Sequence, residues 1–332
     1  MMNRNGETEI RTRPRPQCYL CGAEGKSLYQ GLPDGLFGSG GKWNIKRCQN
    51  PECGLLWLDP MPIEEDIALA YRDYYTHPDS TATLQPSSNL TLRGMLRNWA
   101  NLFLRLTPIY KERQRVWQMY LGKVKPGRIL DVGCGDGRRL AEMKKCGWDV
   151  LGLDLDPAAA TFAHDTFGIS VQVGTLEEAN FPTETFDAVI ASHVIEHIFD
   201  PISFLTHCYE ILKPGGRLVM VTPNSKSTGH WSYKANWIGL DPPRHLHVFS
   251  QESLRLAAQK AGLAQYKIWT TAANAQLLAI GSVALRKGDP YGPGKYPRFT
   301  THLESIGFQL WASFRHAWNK NLGDECVLQA IK

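Results

Sequence analysis

Two sets of residues in this sequence have the types and spacing that do chemistry. The first is Cys18-x-x-Cys21 with Cys48-x-x-x-x-Cys53, each pair followed at once by a glycine, Gly22 and Gly54. Two short cysteine turns of this kind suit tetrahedral thiolate binding of zinc, and four thiolates leave no open coordination position, so the metal they imply is structural. The second is Ile129-Leu130-Asp131-Val132-Gly133-Cys134-Gly135-Asp136-Gly137, an apolar run that stops at a glycine-rich turn. Glycine is needed there because side chains would hold the backbone away from a ligand lying over the end of a strand. A Gly-x-Gly turn alone fits phosphate-binding loops equally well. What narrows it is Asp154, which closes the next apolar run 23 residues after Asp131. An acid at about 20 residues' offset is placed to meet ribose hydroxyls, so the pair points to an adenosine-containing ligand.

The elements that must position these groups follow from hydrophobic patterning. Strand-like runs at Ile129–Val132, Val150–Asp154, Ile169–Val173, Phe186–Ser192, Arg217–Thr222, Tyr266–Thr271 and Cys326–Ile331 alternate with helical stretches for much of their length. Alternation of this kind predicts an α/β fold with a parallel, doubly wound sheet covered on both faces. The domain plan is a disordered basic tail over 1–15, a zinc ribbon over 16–62, a helical linker or cap over 63–123 and the α/β domain over 124–332. A helical insertion at about 272–325 precedes the last strand. Leu92 to Leu106 has helical apolar spacing with Arg93, Arg97 and Arg105 off the stripe. Leu303, Ile306, Leu310, Trp311, Phe314 and Trp318 form a second stripe. Both helices are expected to cover the sheet or make a dimer contact; the sharper alternative is that they rest on an anionic membrane surface.

At 332 residues the chain has room for one α/β domain and a smaller module. Its net charge of +5 is too modest to demand nucleic acid. The polar, basic N-terminus carries no apolar stretch of a signal peptide, and no run approaches the ~20 apolar residues of a membrane span, so a cytoplasmic protein is expected, peripheral to the inner membrane if the stripes touch lipid. The remaining cysteines, Cys134, Cys146, Cys208 and Cys326, are scattered among core-like residues, in keeping with a reducing compartment.

From about Val124 onward the chain resembles the class I S-adenosylmethionine (SAM)-dependent methyltransferases. The residues that carry the resemblance are Leu130 to Gly137, Gly152-Leu153-Asp154, Phe186 to Val189, Val194-Ile195-Glu196-His197, Leu212 to Gly216 and Thr222-Pro223-Asn224. The resemblance implies a Rossmann-like seven-stranded sheet and SAM as cofactor. Gly133, Gly135 and Gly137 would let the backbone approach the methionine part, Asp131 would lie near its ammonium and Asp154 would accept from both ribose hydroxyls. Ser192 is assigned to the same pocket. Many relatives hold the adenine amine with an aspartate after the third strand; here that role passes to Thr175 and Leu176. With the ribbon in front, the whole chain resembles bacterial methyltransferases that carry an N-terminal Cys-x-x-Cys module, some of which modify sugars or cell-surface glycans.

Methyl transfer to a hydroxyl requires alignment of the nucleophile and removal of its proton. His193, Glu196 and His197 fall on one side of a helical turn starting near Val194, and His245 and His247 would point the same way in an extended segment. These five residues are the expected catalytic set, either as a histidine general base or as ligands of a divalent metal. Quinone-pathway O-methyltransferases and small-RNA 2′-O-methyltransferases bind such a metal through Glu-x-x-Glu-His and a later histidine, and this sequence departs from them with His193 at the first glutamate. One carboxylate with three imidazoles favours zinc, iron or manganese over magnesium. The aromatic loop between Thr222 and Phe249 is expected to cover a sugar or ring substrate. The expected activity is methyl transfer to a hydroxyl, less readily a carbon, of a sugar-containing metabolite or glycan precursor. The competing readings are an RNA methyltransferase that holds RNA through the ribbon and Arg-rich helices, and a SAM-sensing scaffold without turnover.

Overall fold

The computed structural model describes residues 10–71, 107–289 and 298–332. The helix expected over 92–106 therefore lies outside the described residues.

The N-terminal module is built from β1 (Thr12–Arg13), β2 (Gly25–Leu32), β3 (Trp43–Cys48), β4 (Leu56–Leu58) and β5 (Met61–Pro62), followed by a 3-10 helix at Glu64–Tyr71. β1 pairs with β5, and Arg11 donates to Asp66 from both its backbone N–H and its guanidinium. The tail expected to be disordered through residue 15 thus gives way to structure at Ile10, which is buried. After α1 (Pro108–Trp117), capped by the Thr107 hydroxyl, the α/β domain begins.

It runs β6 (Arg128–Val132), α2 (Arg138–Lys145), β7 (Asp149–Asp154), α3 (Pro157–Phe167), β8 (Val171–Val173), α4 (Leu176–Ala179), β9 (Phe186–Ser192), α5 (Pro201–Glu210) and β10 (Leu212–Pro223). Next come α6 (Thr228–Tyr233), β11 (His247–Val248), α7 (Gln251–Lys260), β12 (Gln265–Thr271), α8 (Ala275–Lys287), α9 (Phe299–Trp318) and β13 (Glu325–Ile331). The seven strands of the main sheet lie in the order β8-β7-β6-β9-β10-β13-β12, parallel except for β13, which is antiparallel to both neighbours. Ile129, Leu130, Val189, Ile190, Val219 and Met220 are all buried, as central strands covered on both faces require. Strand order reverses between β6 and β9, and at such a switch point the carboxyl ends of the strands part to leave a crevice for ligand.

The antiparallel β13 departs from the wholly parallel sheet expected, and so does the make-up of the ribbon. The four-stranded sheet of the ribbon has the order β11-β4-β3-β2, so its edge strand comes from the α/β domain: His247 pairs with Trp57 and Val248 with Leu56. The module is therefore not closed at residue 62. In α9 the apolar stripe read from the sequence faces outward. Thr301, Ser305, Phe308, Gln309 and Ala312 are buried, whereas Leu310 and Phe314 are exposed and Trp318 is 87% exposed. Polar side chains can face inward here because Gln309 is fully engaged, donating to the Ala272 carbonyl and accepting from Arg113 and the Gln276 N–H.

The ribbon and the α/β domain are also joined by a buried charge cluster. The side chain of Arg244 is fully buried and donates twice to Asp34 of the ribbon (2.7 and 2.9 Å), twice to Asp241 (2.6 and 3.0 Å) and once to the Ala70 carbonyl. Its guanidinium lies 4.3 Å from the centre of the Phe37 ring. Removing one member of such a cluster leaves a buried charge short of its partner, which costs about 3–5 kcal/mol. Arg244→Met is expected to lower the unfolding free energy by that order. Asp34→Asn, which keeps the shape and some hydrogen bonding, should lose less. Equal loss from the two in urea unfolding would show that packing around the side chain, not its charge, is what matters.

Candidate active site

At the carboxyl end of β6, the three glycines of the turn have different reasons to be glycine. All have positive φ, but a Cβ on Gly133 would stand 2.5 Å from Val194 and one on Gly137 2.7 Å from Ala163, whereas one on Gly135 would meet nothing within 4 Å. Gly133 and Gly137 are therefore glycines for packing as well as for backbone conformation. Gly135 leaves open space for a ligand to approach the backbone. Its N–H donates to Asp154 Oδ2 (2.7 Å), while the Asp156 N–H donates to Oδ1 (3.0 Å). Each Asp154 oxygen keeps a lone pair for an incoming hydroxyl. Burial raises the Asp154 carboxyl above its ordinary value, and the two N–H donors oppose that.

Asp131 differs from Asp154 in having no hydrogen bond. It is 1% exposed, neither carboxylate oxygen has a hydrogen-bond partner, and the nearest cation is Arg139 Nη1, 3.9 Å from Oδ2. Burial pushes its pKa up to about 6, with Asp154 adding to the rise and Arg139 opposing it. A buried carboxylate left this way is costly unless a cation comes to it.

The acid/base residues gather at the end of β9. His193 takes φ +57° directly after Ser192, and Ile195–His197 forms the single helical turn expected. Glu196 is wholly buried; its Oε2 accepts from the Thr222 hydroxyl (2.9 Å) and its Oε1 lies 3.3 Å from His193 Nδ1. On its other side His193 Nε2 donates to Glu325 Oε1 (2.9 Å), which Asn274 also contacts. Burial acts to lower the His193 pKa, but the two carboxylates outweigh it and raise it to about 10. His193 is thus an imidazolium at neutral pH, with no lone pair to act as a base.

His197 and His245 are set differently. Burial first, and the neighbouring His245 second, hold His197 down at about 4, so it is neutral. Its Nδ1 faces the Arg244 carbonyl (3.1 Å) and the Tyr71 hydroxyl (2.8 Å), and His245 Nδ1 faces the Gly239 carbonyl (2.9 Å). A carbonyl only accepts, so the proton is assigned to Nδ1 in both rings; the His197 Nε2 keeps its lone pair, while His245 Nε2 lies 4.0 Å from Asp241 Oδ2. One ligand atom from each of Glu196, His197 and His245 lies within 4.8 Å of the other two.

The remaining site residues fall as follows. His247 is outside this triad: the turn through 242–244 and the bend at Leu246 break the extended course expected of the segment, and only His245 joins Glu196 and His197. His247 instead sits in β11, its Nδ1 against the Ile198 carbonyl and its ring beside Tyr19 and Phe249. The Thr175 hydroxyl is taken up as the cap of α4, where it accepts from the Glu178 N–H and leaves Leu176 buried on the first turn. In the aromatic loop Tyr233 and Trp237 are core residues, and Trp231 is the exposed one at 64%. Thr222 belongs to a motif visible in the sequence, but Glu325, Asn274 and Asp34 had no local signal; only the three-dimensional pairing brings them in. The sulfurs of Cys18, Cys21, Cys48 and Cys53 all lie within 4.8 Å of one another, in the arrangement expected of the ribbon.

A profile of the family described as "Methyltransferase domain" matches residues 97–267, about half of the chain. The chain belongs to this methyltransferase family. Its sheet is the Rossmann-like methyltransferase sheet, with the glycine turn and the two acids at the crevice. It is similar to a ubiquinone biosynthesis O-methyltransferase of Cereibacter sphaeroides, 35% identical over 147 residues that make up 41% of this chain and 60% of that protein. The mitochondrial ubiquinone biosynthesis O-methyltransferase of Homo sapiens is 42% identical over 106 residues, 29% of either chain. The chain thus spans less than two thirds of the length of these relatives. Among solved structures it resembles a SAM-dependent methyltransferase of Archaeoglobus fulgidus, 20% identical, covering 70% of this chain and 100% of that chain with a TM-score of 0.46.

The geometry separates the two later histidines by test. His245→Ala should reduce turnover by about 10²-fold or more while leaving cofactor affinity unchanged, as loss of a group acting on the acceptor does. His247→Ala should act through stability, at about 1–2 kcal/mol, with turnover of the folded enzyme retained. Steady-state kinetics and calorimetric cofactor binding on both variants check this, and the reverse pattern would return His247 to the reacting centre.

Proposed function

We propose that this protein is a SAM-dependent methyltransferase that transfers a methyl group to a hydroxyl of a small-molecule acceptor. The observation that carries the reading is Asp131: a buried carboxylate without a hydrogen-bond partner, beside the open face of Gly135. It fits the ammonium of a methionine moiety, while Asp154 fits a ribose diol. The bound SAM supplies an activated methyl on sulfonium. The chain's own contribution is to hold that cofactor and to align the acceptor. Transfer to oxygen is supported by the O-methyltransferase names of the relatives and by Glu196, His197 and His245 at the end of β9. A sugar-containing metabolite or glycan precursor remains the acceptor class we favour, on the resemblance of the ribbon-bearing chain to enzymes of that kind.

The same three residues fit a divalent metal. The Glu196 Oε1 atom has only the His193 imidazolium beside it, at 3.3 Å, and carbonyls orient both imidazoles from behind, the outer-shell pattern that metal-bound histidines show. A metal there would lower the pKa of an acceptor hydroxyl. His193, as a cation between Glu196 and Glu325, fixes the carboxylate's position instead of ligating. The ribbon cysteines fit structural zinc: thiolates at about 2.3 Å from a tetrahedral ion stand about 3.8 Å apart, and Cys18–Cys53 and Cys21–Cys48 are 3.7 and 3.3 Å.

Asp131→Asn tests the cofactor reading. With Asp131 titrating at about 6, wild-type SAM affinity is expected to fall as pH drops below that value, and the Asn variant should bind at least about tenfold more weakly at pH 7.5 with no such pH dependence. The sign for stability is opposite. The folded-state value lies above the ordinary carboxylate value, so this group's favourable contribution is complete only below pH ~4 and is lost as pH rises through 6. The cofactor-free Asn variant should therefore melt higher than wild type at neutral pH. Unchanged SAM affinity in calorimetry would overturn the assignment. For the ribbon, native mass spectrometry is expected to find one zinc per chain, lost in Cys48→Ser.

A further inference from the structure

A cleft of about 610 Å³ lies between the metal-ligand turn of the ribbon and the segment that leaves β10. Arg47, Lys226 and Lys234 line it, together with Trp231, Tyr29 and Ser225, and no carboxylate does. Lys226 is paired with Glu252 (2.9 Å), but Arg47 and Lys234 make no ion pair among the described residues. The positive character is felt by neighbours. The Arg47 charge opposes the burial-driven rise of Tyr29 and adds to the burial-driven lowering of His230. Across the ribbon sheet Lys26 is paired in register with Arg47, two like charges facing one another, which costs stability unless an anion offsets it.

Three further details describe a site built for a ligand. Ser225 is 5% exposed, and its hydroxyl has no hydrogen-bond partner. Trp231 is 64% exposed and carries Arg315 over its ring at 5.3 Å, which holds the indole in place as a platform. Lys234 closes α6 with φ +50°, a backbone state that a non-glycine residue takes at a cost and that recurs at ligand clamps.

We infer that this cleft binds a phosphate or diphosphate group carried by the methyl acceptor, with the adjoining ring of that acceptor against Trp231. The inference rests on the methyltransferase reading above and adds the chemical class of the acceptor. Its position supports it. Ser225 follows Thr222 by three residues, so at most about 11 Å separates the Cα of this cleft-lining serine from that of the residue whose hydroxyl holds Glu196. A phosphorylated sugar or a nucleoside-diphosphate sugar has the length to bridge that interval, its phosphates in the cleft and a hydroxyl at the Glu196–His197–His245 group. The ribbon, through Arg47, then takes part in substrate recognition.

The test uses the full-length protein and inorganic pyrophosphate as probe. Calorimetric titration in chloride buffer is expected to give wild-type binding at about 1 mM or tighter, weakened at least tenfold in the double variant Arg47→Gln/Lys234→Gln. Both residues are exposed, so the variant should fold, and its SAM affinity should equal that of wild type. Asp131→Asn should show the converse, losing SAM and keeping pyrophosphate, so that failure of the cofactor reading and of this one can be told apart. Wild type without pyrophosphate binding, or equal binding by wild type and double variant, would overturn the proposal. So would flotation with phosphatidylglycerol vesicles that the double variant loses while neither protein binds pyrophosphate, because the cations would then serve a bilayer.

Discussion

The arrangement depends first on Arg244. A guanidinium without solvent is tolerable only when its five N–H donors are met, and here Asp34, Asp241 and the Ala70 carbonyl meet them. These partners come from the ribbon, from the segment that follows it and from the loop after β10. The cluster therefore holds three lengths of chain, distant in sequence, at one point. His245 is the next residue, and His197 Nδ1 faces the carbonyl of Arg244 itself. The ion cluster and the acid/base group share a backbone, so the small module in front contributes to the geometry of the reacting centre without placing a side chain in it. β11 does the same by backbone pairing, tying the residues just after Arg244 to β4.

The charges around Glu196 follow from one rule applied to three imidazoles. A histidine between two carboxylates becomes a cation, as His193 does between Glu196 and Glu325. A buried histidine beside another histidine stays neutral, as His197 does beside His245 at a ring separation of 4.6 Å. Glu196 lies between the two regimes. His193 offsets its charge from one side and leaves the carboxylate ionised, with a pKa near 2, although burial acts to raise it. An ionised carboxylate and a neutral imidazole with its lone pair exposed are what either proton abstraction or metal ligation requires.

The strands were legible from the sequence because each is a short apolar run, several of them bounded by Gly, Pro or Asp, and their alternation with helices pointed to a doubly wound sheet but not to the antiparallel β13. The glycine turn, Asp131 and Asp154 were legible because their spacing is local to one β-α-β unit. Glu196 and His197 were legible as a pair on one turn. What local pattern could not supply was long-range partnership. Nothing near Asp34 marks it as the partner of an arginine more than two hundred positions later, and nothing near Glu325 marks it as the second carboxylate of His193. That the α9 stripe faces outward, away from the sheet, was not decided by the sequence for a related reason. Periodicity finds an apolar stripe but not which side the core lies on, and in this helix Gln309, Ser305 and Thr301 are accepted inside because their hydrogen bonds are completed there or nearby.

Buried polar groups without partners are rare in folded proteins because each carries a desolvation cost of about 1–3 kcal/mol. In this chain both Asp131 oxygens on β6 and Ser225 Oγ after β10 stand on or just beyond the carboxyl ends of the central strands, and Glu196 Oε1 after β9 has only His193 Nδ1 at 3.3 Å. Strand ends in a parallel sheet already leave backbone groups to be satisfied, so a fold selected for stability alone would fill these positions with apolar side chains or pair them. On the function proposed, ligands would supply those partners: a cation at Asp131 and a metal at Glu196. On that reading the stability forgone in the free protein is recovered as binding energy.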